Sequence, residues 1–581
     1  QTTRLAKLRR LLPGAKPRQM PEPVDGFLFV AGEIRAVSNR VFRDSPRRLM
    51  RVFLYAQQRR LALHPDLAQL IRNQLALVNR EFLSDEHVRE TFLTILERRG
   101  EVAHILRAMH EVNFLGKYIP EFGKLTCLVQ HEFYHQYAAD EHTLVCLEQL
   151  DKIWEAKEAP YKNYEPIFQS LDRPGLLYLA LLLHDVGKAA RHEQGKHAEA
   201  GADLTMRAAR RLQLETNAAD TLEFLVENHL LMATLSQRRD LDDPSVIRNF
   251  ARQVGTPERL NLLTLLTFAD SQGTSDKLWS GFKDALLWQL HSRTMTLLTG
   301  GTEFRRASEK AREEIREQVR ELAPKRIVDE ELDAHFNQLP QRYFEIHTPE
   351  QILDDIELAH RFMHRLLLEN QRALAPVTAW IDERDRGYSL VKICTWDRAG
   401  LFGKITGALS AAGLNILGAQ IFTRADGIAL DTFFVNDGRT GNLAEREQRE
   451  KFTALLETVM TGGEADLHQL IARQAAARSN YSAYLGERLA TQILFDNEAS
   501  DERTLIEIET EDRLGLLYTI SQTLAELRLD ISAARVVTER GAAIDSFYVS
   551  DEAGGKLLEP EKQAAVSRRL QAAISELQAP V

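Results

Sequence analysis

The stretch that decides the fold reads Pro174-Gly-Leu-Leu-Tyr-Leu-Ala-Leu-Leu-Leu-His184-Asp185-Val-Gly-Lys188. Its apolar run is too short to cross a membrane, but it is long enough for one buried helix. A buried helix that ends on adjacent His and Asp residues needs partners for both side chains, and a metal ion satisfies both at once. The pair alone is a weak signal, because an Asp that caps a helix beside an unrelated His is common.

Length and composition indicate a multidomain globular protein. The 581 residues carry a net charge of −10, and 44% of them are hydrophobic. The excess of negative charge argues against a broad groove that binds nucleic acid. The sequence also shows no apolar span long enough to predict insertion into a membrane. The three cysteines lie far apart, which excludes a disulfide framework and favours a reduced, cytoplasmic setting.

The N-terminal segment is basic and amphipathic. Residues 1–20 contain six Lys or Arg and no acidic residue, and their leucines follow a helical pattern. Because the sequence starts at Gln1 and not at Met, we favour a helix that packs on a domain preceding this sequence. Binding to a membrane or a nucleic acid is the alternative.

Helical periodicity dominates from about residue 45 to 368 and predicts continuous helices over Asp66–Leu83 and His87–His110, among others. After about Arg386 the pattern changes to strands that alternate with short helices. The sequence therefore predicts a helical region followed by an α+β region.

The α+β region contains a repeat. The matching stretches, 115 residues apart, are Ser389-Leu-Val-Lys-Ile-Cys-Thr-Trp-Asp397-Arg-Ala-Gly400-Leu401 with Thr504-Leu-Ile-Glu-Ile-Glu-Thr-Glu-Asp512-Arg-Leu-Gly515-Leu516, and Leu414-Asn415-Ile416 with Leu529-Asp530-Ile531. Each copy predicts a strand, a tight turn, a helix, two strands and a helix. Backbone N–H groups at such a helix start can hold a carboxylate. Alternatively, the Asp residues only cap the helices and the Gly residues only allow close packing.

Several His and Asp residues of the helical region form a candidate metal site, namely His142, His184, Asp185, His197, His229 and Asp270. Three of them, His184, His229 and Asp270, share an apolar helix face with leucines. Each alone is more often a core residue with a satisfied hydrogen bond. Three apolar helices that each direct one such residue inward favour a shared metal.

This order, His then His-Asp then Asp, resembles the HD phosphohydrolase superfamily. The resemblance implies that His142, His184, Asp185 and Asp270 ligate one metal. It also implies that His197 and His229 serve a second metal, with Asp185 as the bridge. The residues His131 and His135 have a chelating spacing, and His192 lies near His197, but all three fall outside the family pattern.

Further stretches narrow the resemblance: Gly116-Lys-Tyr-Ile-Pro-Glu-Phe-Gly123, Asp140-Glu-His142-Thr-Leu, Gln237-Arg-Arg-Asp240-Leu-Asp-Asp-Pro and Phe268-Ala-Asp270-Ser-Gln-Gly. With the two repeats, they resemble the bifunctional enzymes that attach UMP to the nitrogen-regulatory PII protein and remove it. The likeness covers roughly residues 25 to 580.

This resemblance implies a mainly α HD-type helical domain followed by two α+β ACT-like domains of βαββαβ order. The expected divisions are a helical N-terminal region over residues 1–125, the HD domain over 126–375, and ACT-like domains over 386–499 and 502–581.

The resemblance also implies a function. One or two divalent ions (Mn, Mg, Fe, Zn or Co), with His184, Asp185 and Lys188, would hydrolyse the bond between UMP and a PII tyrosine, and glutamine would stimulate this reaction. The expected amino-acid-binding residues are Asp397, Gly400, Leu401 and Asn415, and Asp512, Gly515, Leu516 and Asp530. No nucleic-acid or membrane partner is expected, and a homo-oligomer through the ACT domains is possible.

Two features depart from the family pattern. The Gly-Ser or Gly-Gly turn and the Asp-x-Asp ligands of the transferase domain are missing, so no transferase activity is expected. The loop between His184 and His197 is a few residues longer than usual, which affects where His197 would lie relative to the second metal.

Two alternative functions stay open. One is an HD hydrolase of (p)ppGpp, although Val186-Gly187-Lys188 stands where that group carries Glu-Asp. The other is a non-catalytic amino-acid sensor that binds PII.

Overall fold

A computed structural model describes most of the chain. The described residues are 22–128, 138–189, 197–274, 279–300, 304–340, 343–344, 347–368, 375–398, 400–463, 465–477, 489–539 and 542–578. The chain divides into two compact units, residues 1–130 with 137–227 and residues 131–136 with 228–581, and each is considered separately. Among the described residues, no helix combines the length and apolar character needed to cross a membrane.

The first unit is mainly helical, with a small sheet near its start. Strand β1 (Phe27–Val30) pairs antiparallel with β2 (Glu33–Ala36), and β3 (Ala62–Leu63) pairs parallel with β2. Its helices are α1 (Val41–Asp44), α2 (Arg48–Arg59), α3 (Pro65–Asn73), α4 (Arg80–Ser84), α5 (Glu86–Leu96), α6 (Ala103–Glu111), α7 (Leu115–Tyr118), α8 (Pro120–Gly123), α9 (Ala139–Asp151), α10 (Tyr161–Gln169), α11 (Pro174–Leu183), α12 (His197–Arg211) and α13 (Thr216–Glu227).

Two long helices expected from periodicity are each broken. The stretch Asp66–Leu83 becomes α3, a short 3-10 helix and α4, because Asn79 caps α4 with its side chain. The stretch His87–His110 becomes α5 and α6. Between them Gly100 adopts a φ of 75°, and a Cβ there would lie 2.6 Å from Trp154. Periodicity predicts the apolar face correctly but not these interruptions.

Helix α11 is the buried helix that the opening stretch predicts. Pro174 opens it, and all ten of its residues are buried. Its Tyr178 hydroxyl donates to Asp151 Oδ1 at 2.5 Å, while Oδ2 of Asp151 accepts the backbone N–H groups of Val102 and Ala103. Burial raises the pKa of Asp151 to about 6, against the effect of these donors. The hydrogen bonds fix α9, α6 and α11 to one another.

The second unit combines helices with one large sheet. Its helices are α14 (Leu231–Arg238), α15 (Pro244–Val254), α16 (Pro257–Thr274), α17 (Gly281–Gly300), α18 (Phe304–Leu322), α19 (Asp329–Gln338), α20 (Pro349–Leu368), α21 (Leu401–Ala411), α22 (Arg446–Met460), α23 (Leu467–Ala477), α24 (Leu516–Glu526) and α25 (Pro560–Gln578). Its strands are β4 (Val377–Glu383), β5 (Tyr388–Trp396), β6 (Leu414–Thr423), β7 (Ile428–Asp437), β8 (Gln492–Asp496), β9 (Thr504–Glu511), β10 (Asp530–Glu539) and β11 (Ala542–Ser550).

The two sequence repeats join into one eight-stranded antiparallel sheet. The strand order is β4-β5-β7-β6-β10-β11-β9-β8. The halves meet where β6 pairs with β10, with Gln420 opposite Ala533 and Gly418 opposite Arg535. Helices α21 and α24 share a core with both halves. They approach closely at Gly407, where a Cβ would lie 2.8 Å from the Tyr518 ring.

The helical region followed by α+β ACT-like domains is confirmed as the fold class, with one difference in strand order. In each half the edge strand, β4 or β8, precedes the other three strands and does not follow the second helix. Strand β8, expected at the end of the first ACT-like domain, pairs with β9 of the second. Strand β8 pairs with the next strand along the chain, because only residues 497–503 separate them and a short loop closes at little entropic cost.

Candidate metal centre and effector pocket

The first unit brings His142, His184 and Asp185 together in a buried site. Helix α9 carries His142 in its first turn, and the two other residues directly follow α11. All three side chains are buried. Oδ2 of Asp185 lies 3.7 Å from Nε2 of His142 and 3.3 Å from Nε2 of His184. Three of the four residues expected around one metal are therefore neighbours.

A backbone carbonyl orients the His184 ring. Nδ1 of His184 lies 2.7 Å from the carbonyl oxygen of Leu181, so the Nδ1–H donates to it. Nε2, the ring nitrogen left available to a metal, faces Asp185. A second hydrogen bond of this kind is typical of metal-binding histidines, because it fixes both the tautomer and the ring orientation.

Lys188 belongs to the same cluster. The 3-10 helix Val186–Ala189 turns the chain back, and Nζ of Lys188 lies 2.8 Å from Oδ2 of Asp185. Burial alone would raise the pKa of Asp185, but the charges of His184 and Lys188 hold that pKa well below its usual range. Asp185 is therefore an ionised carboxylate, the form that ligates metals.

Cys146 is a residue of this site that the sequence analysis missed. It lies one helical turn after His142, it is fully buried, and its Sγ is 3.5 Å from Nε2 of His142. His142, Cys146 and His184 each present a ligand atom within 4.8 Å of the others. The i, i+4 spacing of His142 and Cys146 was the available signal. Imidazole, thiol and carboxylate together suit Zn, Fe or Co better than Ca.

The other predicted ligands belong to the second unit, or their side chains lie outside the described residues. His229 is buried and Asp270 is partly buried within α16, and both belong to the second unit. His197 begins α12, but its side chain lies outside the described residues. The residues His131, His135 and His192 also lie outside them.

Glu141, the residue before His142, forms an ion pair with Arg107. Its Oε2 accepts from Nη1 of Arg107 at 3.0 Å, and its Oε1 lies 2.9 Å from Nη2 of the same residue. A carboxylate held at two points by a guanidinium is a poor base.

The glycines that end the two Asp-Arg-x-Gly motifs of the second unit share a left-handed conformation. Gly400 and Gly515 are the N-cap residues of α21 and α24, with φ angles of 75° and 89°. The N-cap residue of each helix is a glycine, which has no side chain with which to cap the helix. A Cβ at Gly400 would meet no atom within 4 Å, so its conformation, and not close packing, requires glycine there.

A pocket lies where the second turn faces the first half of the sheet. It encloses about 480 Å³ of empty space, part of it open to solvent. Its lining residues are Ser410, Leu414, Asn415, Ile416, Asp512, Arg513, Leu514, Gly515, Leu516, Leu517, Val536, Ala543 and Asp545. Four expected residues, Asn415, Asp512, Gly515 and Leu516, are thus brought together. The others, Asp397, Gly400, Leu401 and Asp530, do not line this pocket.

Asp545 is the pocket residue that the sequence analysis did not select. It is buried, and its Oδ1 has no hydrogen-bond partner among the described residues. Burial, together with the charge of Asp512, raises the pKa of Asp545 well above its usual value. Its repeat counterpart Asp431 is also buried with a raised pKa. A buried acceptor without a donor marks a place for a ligand group.

Family models match four parts of this chain. The models are the uridylyltransferase GlnD third domain over residues 27–118, the HD domain over 139–271, the ACT domain over 388–452, and an ACR9-like ACT-like domain over 492–581. The HD match includes both His142 and Asp270.

Curated relatives match nearly the whole chain. A bifunctional uridylyltransferase/uridylyl-removing enzyme of Azospirillum brasilense is 33% identical over 95% of this chain and 58% of its own length. One of Caulobacter vibrioides is 30% identical over 98% of this chain and 59% of its own length. The chain therefore spans less than two thirds of the length of these relatives.

Among solved structures, a CCA-adding enzyme with ATP matches 57% of this chain and 63% of its own chain, with 14% identity and a TM-score of 0.32.

The resemblance drawn from the sequence motifs is confirmed by the curated relatives and the family models. This chain is homologous over nearly its whole length to enzymes named bifunctional uridylyltransferase/uridylyl-removing enzyme, and it contains segments that match the GlnD third-domain, HD-domain and ACT-domain models.

Proposed function

We propose that this chain hydrolyses the phosphodiester bond between UMP and a tyrosine of the PII signalling protein, and that glutamine stimulates the reaction. The observation that carries the proposal is the buried cluster of His142, His184, Asp185 and Lys188. Such a cluster suits metal-assisted hydrolysis of a phosphate ester. The names of the relatives supply the substrate class.

The proposed ligands of the first divalent ion are His142, His184, Asp185 and Asp270. Cys146 is a candidate fifth ligand, and His197 and His229 are assigned to a second ion. A divalent ion lowers the pKa of water towards about 7 and so supplies a nucleophile at neutral pH. The donors favour Mn, Fe, Zn or Co.

The protein groups have distinct tasks in this proposal. Asp185 stays ionised, because His184 and Lys188 hold its pKa low. Lys188 places its ammonium beside that carboxylate, where it neutralises phosphate oxygens as negative charge builds up on them. The leaving tyrosine has a phenol pKa of about 10, so it departs without a strong general acid. The burial of the cluster limits the access of bulk water to the reacting phosphate.

For the effector, we assign glutamine to the pocket between Asn415 and the Gly515 turn. Its carboxylate would lie on the backbone N–H groups at the start of α24, where the helix dipole favours negative charge. Its ammonium would donate to Oδ1 of Asp545, which has no hydrogen-bond partner among the described residues, and would so favour the ionised form of this carboxyl. Asn415 would read the side-chain amide. The alternative, that the turns serve only packing, leaves this empty space unexplained.

Several wider statements belong to the same proposal. The proposed domains cover residues 1–125, 126–375, 386–499 and 502–581, and the last of them takes its edge strand β8 from the end of the preceding range. The protein acts in the cytoplasm. Its partner is PII, without nucleic acid or membrane, and the ACT domains are the proposed contact in any homo-oligomer.

The test is release of UMP. Purified chain, Mn²⁺ and uridylylated PII are incubated, and UMP and unmodified PII are quantified with and without glutamine. The matched control is His184→Ala, and (p)ppGpp is offered as the competing substrate. Release of UMP by the wild-type chain alone supports the proposal. Cleavage of (p)ppGpp without release of UMP would overturn it in favour of the second-messenger alternative.

A further inference from the structure

The loop between α14 and α15 is buried against the eight-stranded sheet of the second unit. Asp240, Leu241 and Asp242 are all buried. The backbone N–H of Asp240 donates to the hydroxyl oxygen of Tyr548 at 2.8 Å. Just before the loop, Nη1 of Arg239 donates to Glu507 at 2.9 Å. The helix that follows His229 is therefore attached to strands β9 and β11 at its C-terminal end.

Asp242 is in contact with both halves of the sheet. Its Oδ2 accepts from Nε2 of Gln420 on β6 at 2.8 Å and lies 3.9 Å from Nη2 of Arg535 on β10. Its Oδ1 accepts from Gln289 of α17 at 2.9 Å, and Arg293 of α17 lies 2.9 Å away. We call Asp242, Gln420, Arg535, Gln289 and Arg293 the Asp242 cluster.

The Asp242 cluster and the effector pocket lie back to back on β10. Val536 lines the pocket, while its neighbour Arg535 contacts Asp242. Successive side chains of a strand point to opposite faces of the sheet, so both follow any displacement of this strand. Arg535 is buried and also lies 3.9 Å from Asp240, so it cannot move independently of the loop. Strand β6 also connects the two sites, because it carries both Asn415 of the pocket and Gln420 of the Asp242 cluster.

We propose that the Asp242 cluster couples the effector pocket to α14 and so to the position of His229, with Arg535 and Gln420 as positioning residues. This inference rests on the proposed function, because it assumes that an amino acid fills the pocket. A ligand that draws the Gly515 turn towards Asn415 shifts β10 against β6. The carboxylate of Asp242, which is bonded to both strands, moves with them and carries the loop 239–242 and the end of α14. Closely packed elements with buried polar contacts transmit such shifts.

The test is amide hydrogen exchange of residues 229–242 in the full chain, with and without saturating glutamine. Gln420→Ala and Asp242→Asn weaken the cluster, and Arg248→Gln is the matched control. Arg248 of α15 pairs with Asp501 at 3.0 Å, an exposed contact with the loop between β8 and β9. We expect glutamine to change exchange in the wild type and the control but not in the two cluster variants. Calorimetry should show glutamine binding retained in all four proteins.

Hydrolysis gives the second readout. Allosteric coupling typically changes a response about 5- to 150-fold, and we expect Gln420→Ala to reduce glutamine stimulation to less than about twofold, with basal hydrolysis intact. Unchanged exchange in the glutamine-bound wild type, or full stimulation in both folded variants, would overturn the inference. Lack of glutamine binding in the wild type would overturn it as well, while the hydrolase proposal would stand or fall on UMP release alone.

Discussion

Nζ of Lys188 lies 2.8 Å from Oδ2 of Asp185, the oxygen that also faces Nε2 of His184 at 3.3 Å. A lysine ammonium and two imidazoles thus surround one buried carboxylate. The Lys188 ammonium balances the negative charge of the Asp185 carboxylate. In the proposed reaction it also lies beside the bound phosphate. Two kinds of mutation should therefore differ in effect: those that remove a proposed metal ligand, and those that remove only the neighbouring positive charge of Lys188.

Replacing a ligand should abolish hydrolysis. We expect His184→Ala and Asp185→Ala each to lower the rate of UMP release by more than about 100-fold, since loss of one outer-shell partner alone typically costs 10- to 100-fold. Circular dichroism should show a helical protein in both cases. Turnover of uridylylated PII at the wild-type rate by either folded variant would contradict the metal assignment.

Replacing Lys188 should act on the transition state. Lys188→Met is expected to lower kcat about 10²- to 10³-fold, because a fixed positive charge that stabilises the phosphate is lost, while Lys188→Arg retains part of the rate. Steady-state kinetics on uridylylated PII measure this effect. Lys152→Met, a lysine at the end of α9 that donates to Gln149, is the control and should leave the rate unchanged. Equal kcat values for both Met variants would contradict the assigned role.

Cys146 should report directly on the metal. If its thiol joins the ligands, a protein loaded with Co²⁺ will show a sulfur-to-cobalt charge-transfer band in the near ultraviolet, and Cys146→Ser will remove it. Zinc sites have metal–sulfur distances of about 2.3 Å and metal–nitrogen distances of about 2.0–2.1 Å. A tetrahedral angle between such bonds gives a sulfur–nitrogen separation of roughly 3.6 Å, close to the observed 3.5 Å. The controls are Cys127→Ser, at an exposed thiol, and Cys394→Ser, at a buried thiol of the second unit. A band that persists in Cys146→Ser would show that this thiol only packs against His142.

Equivalent positions of the two repeats, Asn415 and Asp530, provide a matched pair of variants that tests the effector pocket. We expect Asn415→Ala to weaken glutamine binding about 10- to 100-fold, on the scale of a lost hydrogen bond to a charged or fully desolvated group. Asp530→Ala, at the equivalent position of the other repeat, should change affinity much less, because Asp530 does not line the pocket. Isothermal calorimetry on the full chain distinguishes the two. The reverse order of effects would place the ligand at the Gly400 turn.

Acid should destabilise the second unit through its buried histidines. Burial lowers the pKa of His335 to about 3 and that of His291 to about 4. A folded-state pKa below the unfolded value of about 6.5 means that the unfolded chain binds protons first. The free energy of unfolding should therefore fall as the pH drops from about 6.5 towards 3, by about 1.4 kcal/mol for each pKa unit of one histidine.

His335 can be tested separately. It contacts the Tyr343 hydroxyl at 3.1 Å, and its buried Nδ1 has no acceptor among the described residues, so a second proton would be unpaired. Urea unfolding of wild type and His335→Asn between pH 4 and 8 should show a shallower pH dependence in the variant. Parallel curves for the two proteins would assign the acid sensitivity to other groups.

Local patterns allowed much of the site to be predicted. An apolar run that ends in His184-Asp185 identifies a buried helix with two polar residues at its end, because a ten-residue apolar segment has no stable place but a core. The repeat predicts two similar α+β halves, because equal sequences of apolar and turn residues favour equal local structure. Glycine at 400 and 515 predicts the left-handed turn that opens each helix.

The tertiary structure decided what depends on contacts between distant segments. It placed His142 and Cys146 beside His184, brought Asp545 into a pocket with Asn415, and paired β6 with β10. It also joined Asp242 to Gln420 and Arg535, residues that are far from it along the chain and share no local pattern with it. Periodicity shows that a side chain is buried, because burial follows from one helix face or one strand face. It cannot show which buried partner that side chain meets, because the partner is chosen by the packing of whole elements.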